Sequence, residues 1–438
     1  MTATPHDGAE EQRRAAAIAA IAVRGGARGG ARDAPGFAWL DGGAHARGFL
    51  GVDADLVLEG DDPYLFAAAD DAWRAAPEHV WLGWITYDFA ADLVLGRSPR
   101  MRRLPGIVLR RYLGALELLP GFGVRGHGDA GCWRALADAV QGGVAPLPAA
   151  PEWPLEPLVA TVDADAYRER VRAAKREIVA GETYQVNLAQ RFVAPWRTEP
   201  RMRSLAERAA ALYLRVRERT PAEMGALVRG TTGWVISNSP ETLLDVRRGV
   251  GPHGSDVATS LPIKGTRPRA ATPAEDAALR AELRASAKDR AEHVMIVDLV
   301  RNDLGRLALA GTVEAPPEPS ELALPTVHHL VSEVRAQLRP GIGLPEMVAA
   351  LVPGGSVTGA PKRRTLEIIE ALEGEDRGIY CGALLVLEPG GLRMSIPIRT
   401  GWLDDTGLTL HAGGGIVMDS DPEAERIETI AKTLAFAG

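Results

Sequence analysis

The sequence predicts an α+β protein built on antiparallel sheets, and three observations predict it. Short apolar runs of strand character gather between Gly36 and Leu119, and again between Tyr380 and Ala412. Amphipathic helical patterns stand between these groups and not between successive strands, which argues against a regular βαβ alternation. No segment repeats with a period of roughly 20 to 50 residues.

At 438 residues the chain has room for roughly two or three domains, or for one large two-lobed unit. Its apolar and charged fractions are those of an ordinary soluble globule. A net charge of −7 gives no electrostatic case for nucleic acid or an anionic membrane. An anionic small substrate therefore needs locally gathered cations or a metal. Cys132 and Cys381 are the only cysteines, too few for a disulfide framework or a zinc site. The cytoplasm is the expected compartment.

Residues 1–35 read as a flexible tail. Arg24 to Arg32, RGGARGGAR, has no hydrophobic period. The apolar run Ala15 to Val23 is too short to span a bilayer. Glu10 and Glu11 offset Arg13 and Arg14 ahead of it, unlike a signal peptide. An N-terminal region follows over 36–155, with strand-like runs at Ala54–Leu58, Val80–Tyr87 and Gly106–Leu118. Gly142 to Pro157 is rich in Pro and Gly and reads as a linker. The region 156–438 carries the chemistry. There, Asp163–Ala180 predicts a helix with Tyr167, Val171, Ala174 and Ile178 on one face. Strands are expected at Tyr184–Phe192, Trp234–Asn238, Tyr380–Leu387, Leu392–Thr400 and Leu408–Ala412. Arg284–Leu304 predicts a long helix, and Pro422–Phe436 a closing one with Pro at its start.

Lys264 lies in LPIKGTRP, where Pro262 and Gly265 fix the backbone around a flexible cation. Such a lysine serves as a point charge, or as a nucleophile where desolvation favours the neutral amine. Asp289 and Glu292 are three apart on one predicted helix, and Glu425 and Glu428 on another. Each pair shares a helix face. Four converging carboxylates need a cation among them, and hard oxygen donors suit Mg²⁺. The competing reading is a solvated acidic surface, although Glu292 shares its face with Ile296 and Leu299. Lys432 lies one turn beyond Glu428, placed to bind substrate or to pair with that carboxylate.

His411-Ala412-Gly413-Gly414-Gly415 follows a predicted strand, either as a tight turn or as a nest of backbone N–H groups for an oxyanion. Arg399 offers a bidentate fork to a carboxylate. Glu241, after Pro240, stands as a general acid or as a turn carboxylate. His329 precedes an apolar stretch and alone reads as a core histidine. PGGSVTGAPK, at Pro353–Lys362, lacks the Gly-Lys-Ser/Thr end of a phosphate loop.

Together GETYQVNLAQRF, SNSPETLL, LPIKGTRPR, KDRAEHVMIVDLVRNDLGR, SVTGAPKRRTLEIIE, IYCGALL, SIPIRT and HAGGGIVMDSDPEAERIETIAK resemble the chorismate-utilising enzymes. These are anthranilate synthase component I, aminodeoxychorismate synthase component I, and the isochorismate and salicylate synthases. The resemblance is strong from Leu158 to Phe436 and thinner before that, mainly at GWITYDFA. It implies a two-lobed anthranilate synthase component I-like fold, with antiparallel sheets at the centre and helices outside. It implies Mg²⁺ bound by Glu292 and Glu428, with Asp289 and Glu425 supporting through water. It places Arg399, Tyr380 and Gly413 to Gly415 on the enolpyruvyl side, and Gly265 and Thr266 at the ring. His329 and Lys432 line the site, and Glu241 becomes the acid for the C4 hydroxyl.

Two positions choose among the members. Gln185 stands where the isochorismate and salicylate synthases resemble one another in a water-activating lysine, which argues against hydration. Lys264 stands where anthranilate synthases usually carry alanine, and lysine there marks the aminodeoxychorismate synthases. The expected reaction is amination of chorismate at C4 through a Lys264 adduct. The alternative is C2 amination, as in anthranilate or aminodeoxyisochorismate synthesis; a catalytically silent binding protein of the same fold is the alternative from another class. The chain has no Gly-x-Cys-x-Gly turn, so ammonia is expected from a separate glutaminase. No Leu-Leu-Glu-Ser run is present, so tryptophan inhibition is not expected. Gly-Ser-Val-Thr stands where relatives often have Gly-Thr-Leu-Ser, which leaves ring contacts by Ser356 and Thr358 open.

Overall fold

The computed structural model describes residues 5–24, 36–43, 46–143, 153–197, 204–323 and 327–438. Two large antiparallel sheets form its centre. The eleven-stranded one runs in the order Gly359–Ala360, Gln185–Pro195, Gly407–Ile416, Thr400–Asp404, Trp234–Ser239, Met224–Arg229, Ala38–Asp41, Gly48–Gly51, Gly114–Leu118 and Val124–Gly128, with Val159–Ala160 paired off this path. The eight-stranded one runs Val334–Gln337, Val257–Leu261, Thr242–Arg247, Gly391–Ser395, Ala383–Glu388, Val80–Ile85, Ile107–Tyr112 and Ala54–Gly60. A small third sheet joins Ile263–Pro268, Val327–Val331 and Ser320–Ala323.

The large sheets meet through an apolar layer. Leu82, Trp84, Val108 and Tyr112 of one pack with Phe49, Ala226, Val228 and Val235 of the other. Burying a side chain such as Leu82 or Val228 completely contributes roughly 1.5–3 kcal/mol. The opposite face of the eight-stranded sheet, with Trp81, Ile85, Leu244 and Leu385, is covered by helices that include Leu344–Leu351 and Ala287–Gly305. The opposite face of the eleven-stranded sheet, with Trp39, Leu50, Leu227 and Ile236, is covered by Leu205–Arg219 and Ala130–Asp138. The expected class, sheets at the centre and helices outside, is the one observed.

The first segment differs from its expectation. Pro5–Arg24 is a helix, not a tail, and Ala15, Ile18, Ala19, Ile21 and Ala22 are buried against Leu212 and Val216. Alanines hid this in the sequence, because their small side chains let a helix bury a broad face without a sharp hydrophobic period. Residues 25–32 of the RGG stretch lie outside the described residues, as do 144–152 of the proposed linker. The boundary near residue 155 does not separate two sheets. Val80–Ile85 pairs with Ala383–Glu388, and Ala38–Asp41 pairs with Met224–Arg229.

Local signals set the other elements. Asp163 caps Ala164–Val179 by accepting from Ala166 N at 2.8 Å. Val80–Ile85 ends at Thr86, which caps a further helix, Tyr87–Leu95. The expected Arg284–Leu304 helix is divided. Pro273–Ala285 ends at Ser286, whose hydroxyl accepts from Asp289 N at 3.1 Å and starts Ala287–Gly305. The closing helix stops at Ala431, and a 3₁₀ turn follows over Leu434–Phe436. Among the described residues, no helix is long and apolar enough to cross a membrane.

Candidate functional site

Lys264 is the second residue of Ile263–Pro268, paired with Leu330. The register shifts immediately after it, where Gly265 takes φ +68°. A side chain at Gly265 is excluded twice, because its Cβ would also meet Leu283 Cδ1 at 2.8 Å. The Lys264 amine has no hydrogen bond or ion pair among the described residues. Burial lowers its pKa, and the positive charge of Lys432 lowers it further; Glu292, Glu241 and Glu428 oppose both.

Glu241 sits between two strands, Trp234–Ser239 and Thr242–Arg247, one in each large sheet. It is 6% exposed. Burial raises its pKa, while a hydrogen bond from Ser356 Oγ at 2.9 Å and the charges of Lys264 and Lys432 lower it in part. An acid and an amine are thus placed in one region, each displaced by burial toward its neutral form.

The anticipated carboxylates are only partly gathered. Gly414 brings two of them together: a Cβ there would lie 2.9 Å from Glu425 Oε2 and 3.4 Å from Glu428 Oε1. Glu425 Oε1 accepts from Ser420 at 2.6 Å, and Glu428 pairs with Lys432 at 2.6 Å. On the other helix Asp289 pairs with Arg267 at 3.1 Å, and Glu292 lies 3.9 Å from Lys288. Among the described residues, no three acidic, His or Cys side chains converge as a metal cage. The expected convergence of four is therefore not seen; Asp289 and Glu428 are paired with Arg267 and Lys432. Glu292 and Glu428 both lie within electrostatic range of Lys264, and one or two carboxylates of this kind still fit Mg²⁺, which keeps its waters.

The glycine run is strand, not turn or nest. Gly407–Ile416 pairs along its whole length with Gln185–Pro195, and none of Gly413, Gly414 and Gly415 has positive φ. On its other side Thr400–Asp404 reaches only to Leu410. The edge from His411 to Ile416 therefore has no strand partner there. Its glycines permit close approach: a Cβ at Gly413 would meet Leu188 O at 2.6 Å, and one at Gly415 would meet the Gln185 amide at 3.0 Å. Lys432 Nζ donates to Gly413 O at 2.8 Å.

Arg399 precedes the shorter strand, with φ +50°. Burial alone lowers its pKa, and no acceptor among the described residues bonds its guanidinium. A half-buried arginine without a protein partner suits a ligand carboxylate. His329 is within electrostatic range of Arg399. Its Nδ1 donates to Gly265 O at 2.9 Å and lies 3.1 Å from Thr266 Oγ1. In the neutral ring this leaves Nε2, which has no partner, as an acceptor. Burial lowers the His329 pKa and favours that neutral form. Tyr380 is buried and stacked on His411, with ring centroids 5.8 Å apart.

Three further groups belong to this neighbourhood. His293, 1% exposed, bonds Ser332 Oγ at 2.8 Å and lies in electrostatic range of Lys264. Its place beside Glu292, on the face of Ile296, was the available signal. Ser356 holds Glu241, whereas Thr358 spends its hydroxyl on Gly354 O at 2.9 Å. Gln185 is buried, with both amide atoms unpartnered.

A family model described as chorismate binding enzyme matches residues 39–438. The chain is 42% identical over 315 residues to "Aminodeoxychorismate synthase" of Streptomyces griseus, covering 69% of this chain and 41% of that protein. It is 42% identical over 269 residues to "Aminodeoxychorismate synthase component 1" of Escherichia coli K12, covering 61% and 56%. It is 35% identical over 379 residues to an "Anthranilate synthase component I-like protein" of Synechocystis, covering 82% and 73%. The crystal structure of anthranilate synthase component I from Streptococcus pneumoniae superposes with a TM-score of 0.72 at 25% identity, over 92% of this chain and 90% of that one. The chain spans about half the length of several curated relatives it matches, 56% in the Escherichia coli case.

Proposed function

Because the chain belongs to the chorismate binding enzyme family, we propose that it is a cytoplasmic enzyme that aminates chorismate at C4, giving 4-amino-4-deoxychorismate for 4-aminobenzoate formation. The observation that carries this reading is Lys264, a partnerless amine with its pKa lowered by burial, within electrostatic range of Glu241, whose pKa burial raises. The neutral amine of Lys264 attacks C2 of the ring as the C4 hydroxyl leaves. Glu241 supplies the proton that makes that hydroxyl water. Ammonia then bonds to C4, the C2–N bond to Lys264 breaks, and the enolpyruvyl group is retained.

Arg399 holds the enolpyruvyl carboxylate, with Tyr380 and the open edge at Gly413 to Gly415. Gly265 and Thr266 bound the ring, and His329 and Lys432 line the site. Glu292 and Glu428 would hold Mg²⁺, with Asp289 and Glu425 supporting it through water. When bound, the ion neutralises the ring carboxylate. Ammonia comes from a separate glutaminase subunit, a reading supported by the name "component 1" of two relatives. Relatives named as anthranilate synthase components keep C2 amination as the second reading; Lys264 is the residue against it.

Product identification tests this. Chorismate, Mg²⁺ and ammonium are incubated with the protein, with and without an aminodeoxychorismate lyase. The expected result is 4-aminobenzoate only with the lyase, and none from Lys264→Ala, which still binds chorismate. Anthranilate as product, or full activity in Lys264→Ala, would sink the assignment.

A further inference from the structure

On the helix Ala287–Gly305, Asp289 and His293 are four residues apart and share one face. Both are tied to the segment that carries Lys264, one on each side of it. Beyond Lys264, Asp289 lies against Gly265, where an added Cβ would sit 3.4 Å from Asp289 Cβ, and it pairs with Arg267 at 3.1 Å. Before Lys264, the tie runs through Ser332. His293 Nε2 bonds Ser332 Oγ at 2.8 Å, and Ser332 N donates to Pro262 O at 3.3 Å.

The second tie is buried and single. His293 and Ser332 are both buried. His293 Nδ1 has no partner, so the bond to Ser332 is the ring's one hydrogen bond among the described residues. Strand pairing alone holds Lys264 loosely. Leu330 and Val331 pair with Lys264 and Ile263, but the register shifts directly after Lys264. The amine itself has no hydrogen bond or ion pair among the described residues to aim it. Its direction is therefore set by the backbone on either side. A small tilt there becomes a larger displacement at the end of the four-carbon stem.

We propose that His293 and Ser332 are a positioning pair. They fix Pro262 against the helix that bears Glu292 and so aim the Lys264 amine at the ring, without touching substrate. The inference rests on Lys264 being the nucleophile.

Rates of 4-amino product formation from chorismate, Mg²⁺ and ammonium are compared with melting midpoints, using the full chain and its variants. Ser332→Ala is expected to lower kcat by about 10–100-fold, the range for a misplacement of about 1 Å. Its KM for chorismate stays near the wild-type value, since the groups that bind chorismate are left in place. His293→Gln, whose side-chain amide stands in for Nε2, keeps most of the rate. The double variant His293→Leu/Ser332→Ala removes both polar partners and strands neither, so it melts close to wild type. It nevertheless shows the low kcat, and it reads the pair even where Ser332→Ala fails to fold. A pair that serves stability alone gives the opposite result, a double variant with wild-type kcat, and that outcome overturns the proposal. Full activity in Lys264→Ala is a separate result: it overturns the nucleophile reading, and the positioning pair with it.

Discussion

Lys264 and Glu241 lie within electrostatic range of each other and form no ion pair among the described residues. Burial displaces each toward neutrality. For Lys264 this has a cost in stability. Its pKa in the folded chain lies below the ordinary 10.5. Between those two values the unfolded chain holds a proton that the folded chain has released, so the group makes stability rise with pH. Lys264→Met removes the group. The variant is expected to resist denaturant better than wild type at pH 7, with the gap closing as pH passes 10.5. Unfolding curves across that range check this, and a gap independent of pH would contradict it.

Glu241→Gln keeps the size of the side chain and removes its proton. A general acid contributes about 10²–10⁴-fold, so kcat is expected to fall by that factor. Ser356→Ala deletes the donor that favours the carboxylate. The limb of kcat/KM assigned to Glu241 therefore moves to higher pH. A Ser356→Ala profile superposable on wild type would remove Ser356 from this role.

Gly414→Ala places a methyl group 2.9 Å from Glu425 Oε2 and 3.4 Å from Glu428 Oε1. Both carboxylates must move. The Mg²⁺ concentration for half-maximal rate is expected to rise by about 10–100-fold, as for other disturbances of metal-ligand orientation. Titration of the rate with Mg²⁺ measures it, and an unchanged requirement would place the ion elsewhere.

Glu373 and Arg377 form a buried pair, at 5% and 2% exposure, and between them bond Ala189 N and Asn187 O of the strand opposite the glycine run. Glu373→Ala strands the guanidinium. Loss of one partner of a buried pair costs roughly 3–5 kcal/mol, read as a lower denaturation midpoint. A shift of under half that size would mean that solvent reaches the arginine.

Much of this site was legible in local sequence. Lys264, Glu241, Arg399, Glu425 and Glu428 are each flanked by residues that fix their backbone or their helix face. Groups whose meaning comes from across a sheet were not. Gly413 to Gly415 read as a turn or nest, since three glycines in a row are rare inside a strand; only Glu425, Gln185 and Ala189 pressing on them explain their absence of side chains. His293 and His411 acquire their partners from segments far along the chain. The helix at Pro5–Arg24 was lost to its own alanines. The acidic pairs were read as one cluster because helix faces are visible in sequence and salt bridges to Arg267 and Lys432 are not.

The pairing of Val80–Ile85 with Ala383–Glu388 bears on synthesis. A ribosome that has delivered the first two hundred residues has made parts of both sheets and neither whole. The edge that awaits Ala383–Glu388 stays unclosed until that distant strand has been made. Nascent chains of this protein thus carry unsatisfied strand edges while the intervening residues are synthesised, the condition under which chaperones engage and neighbouring copies stick.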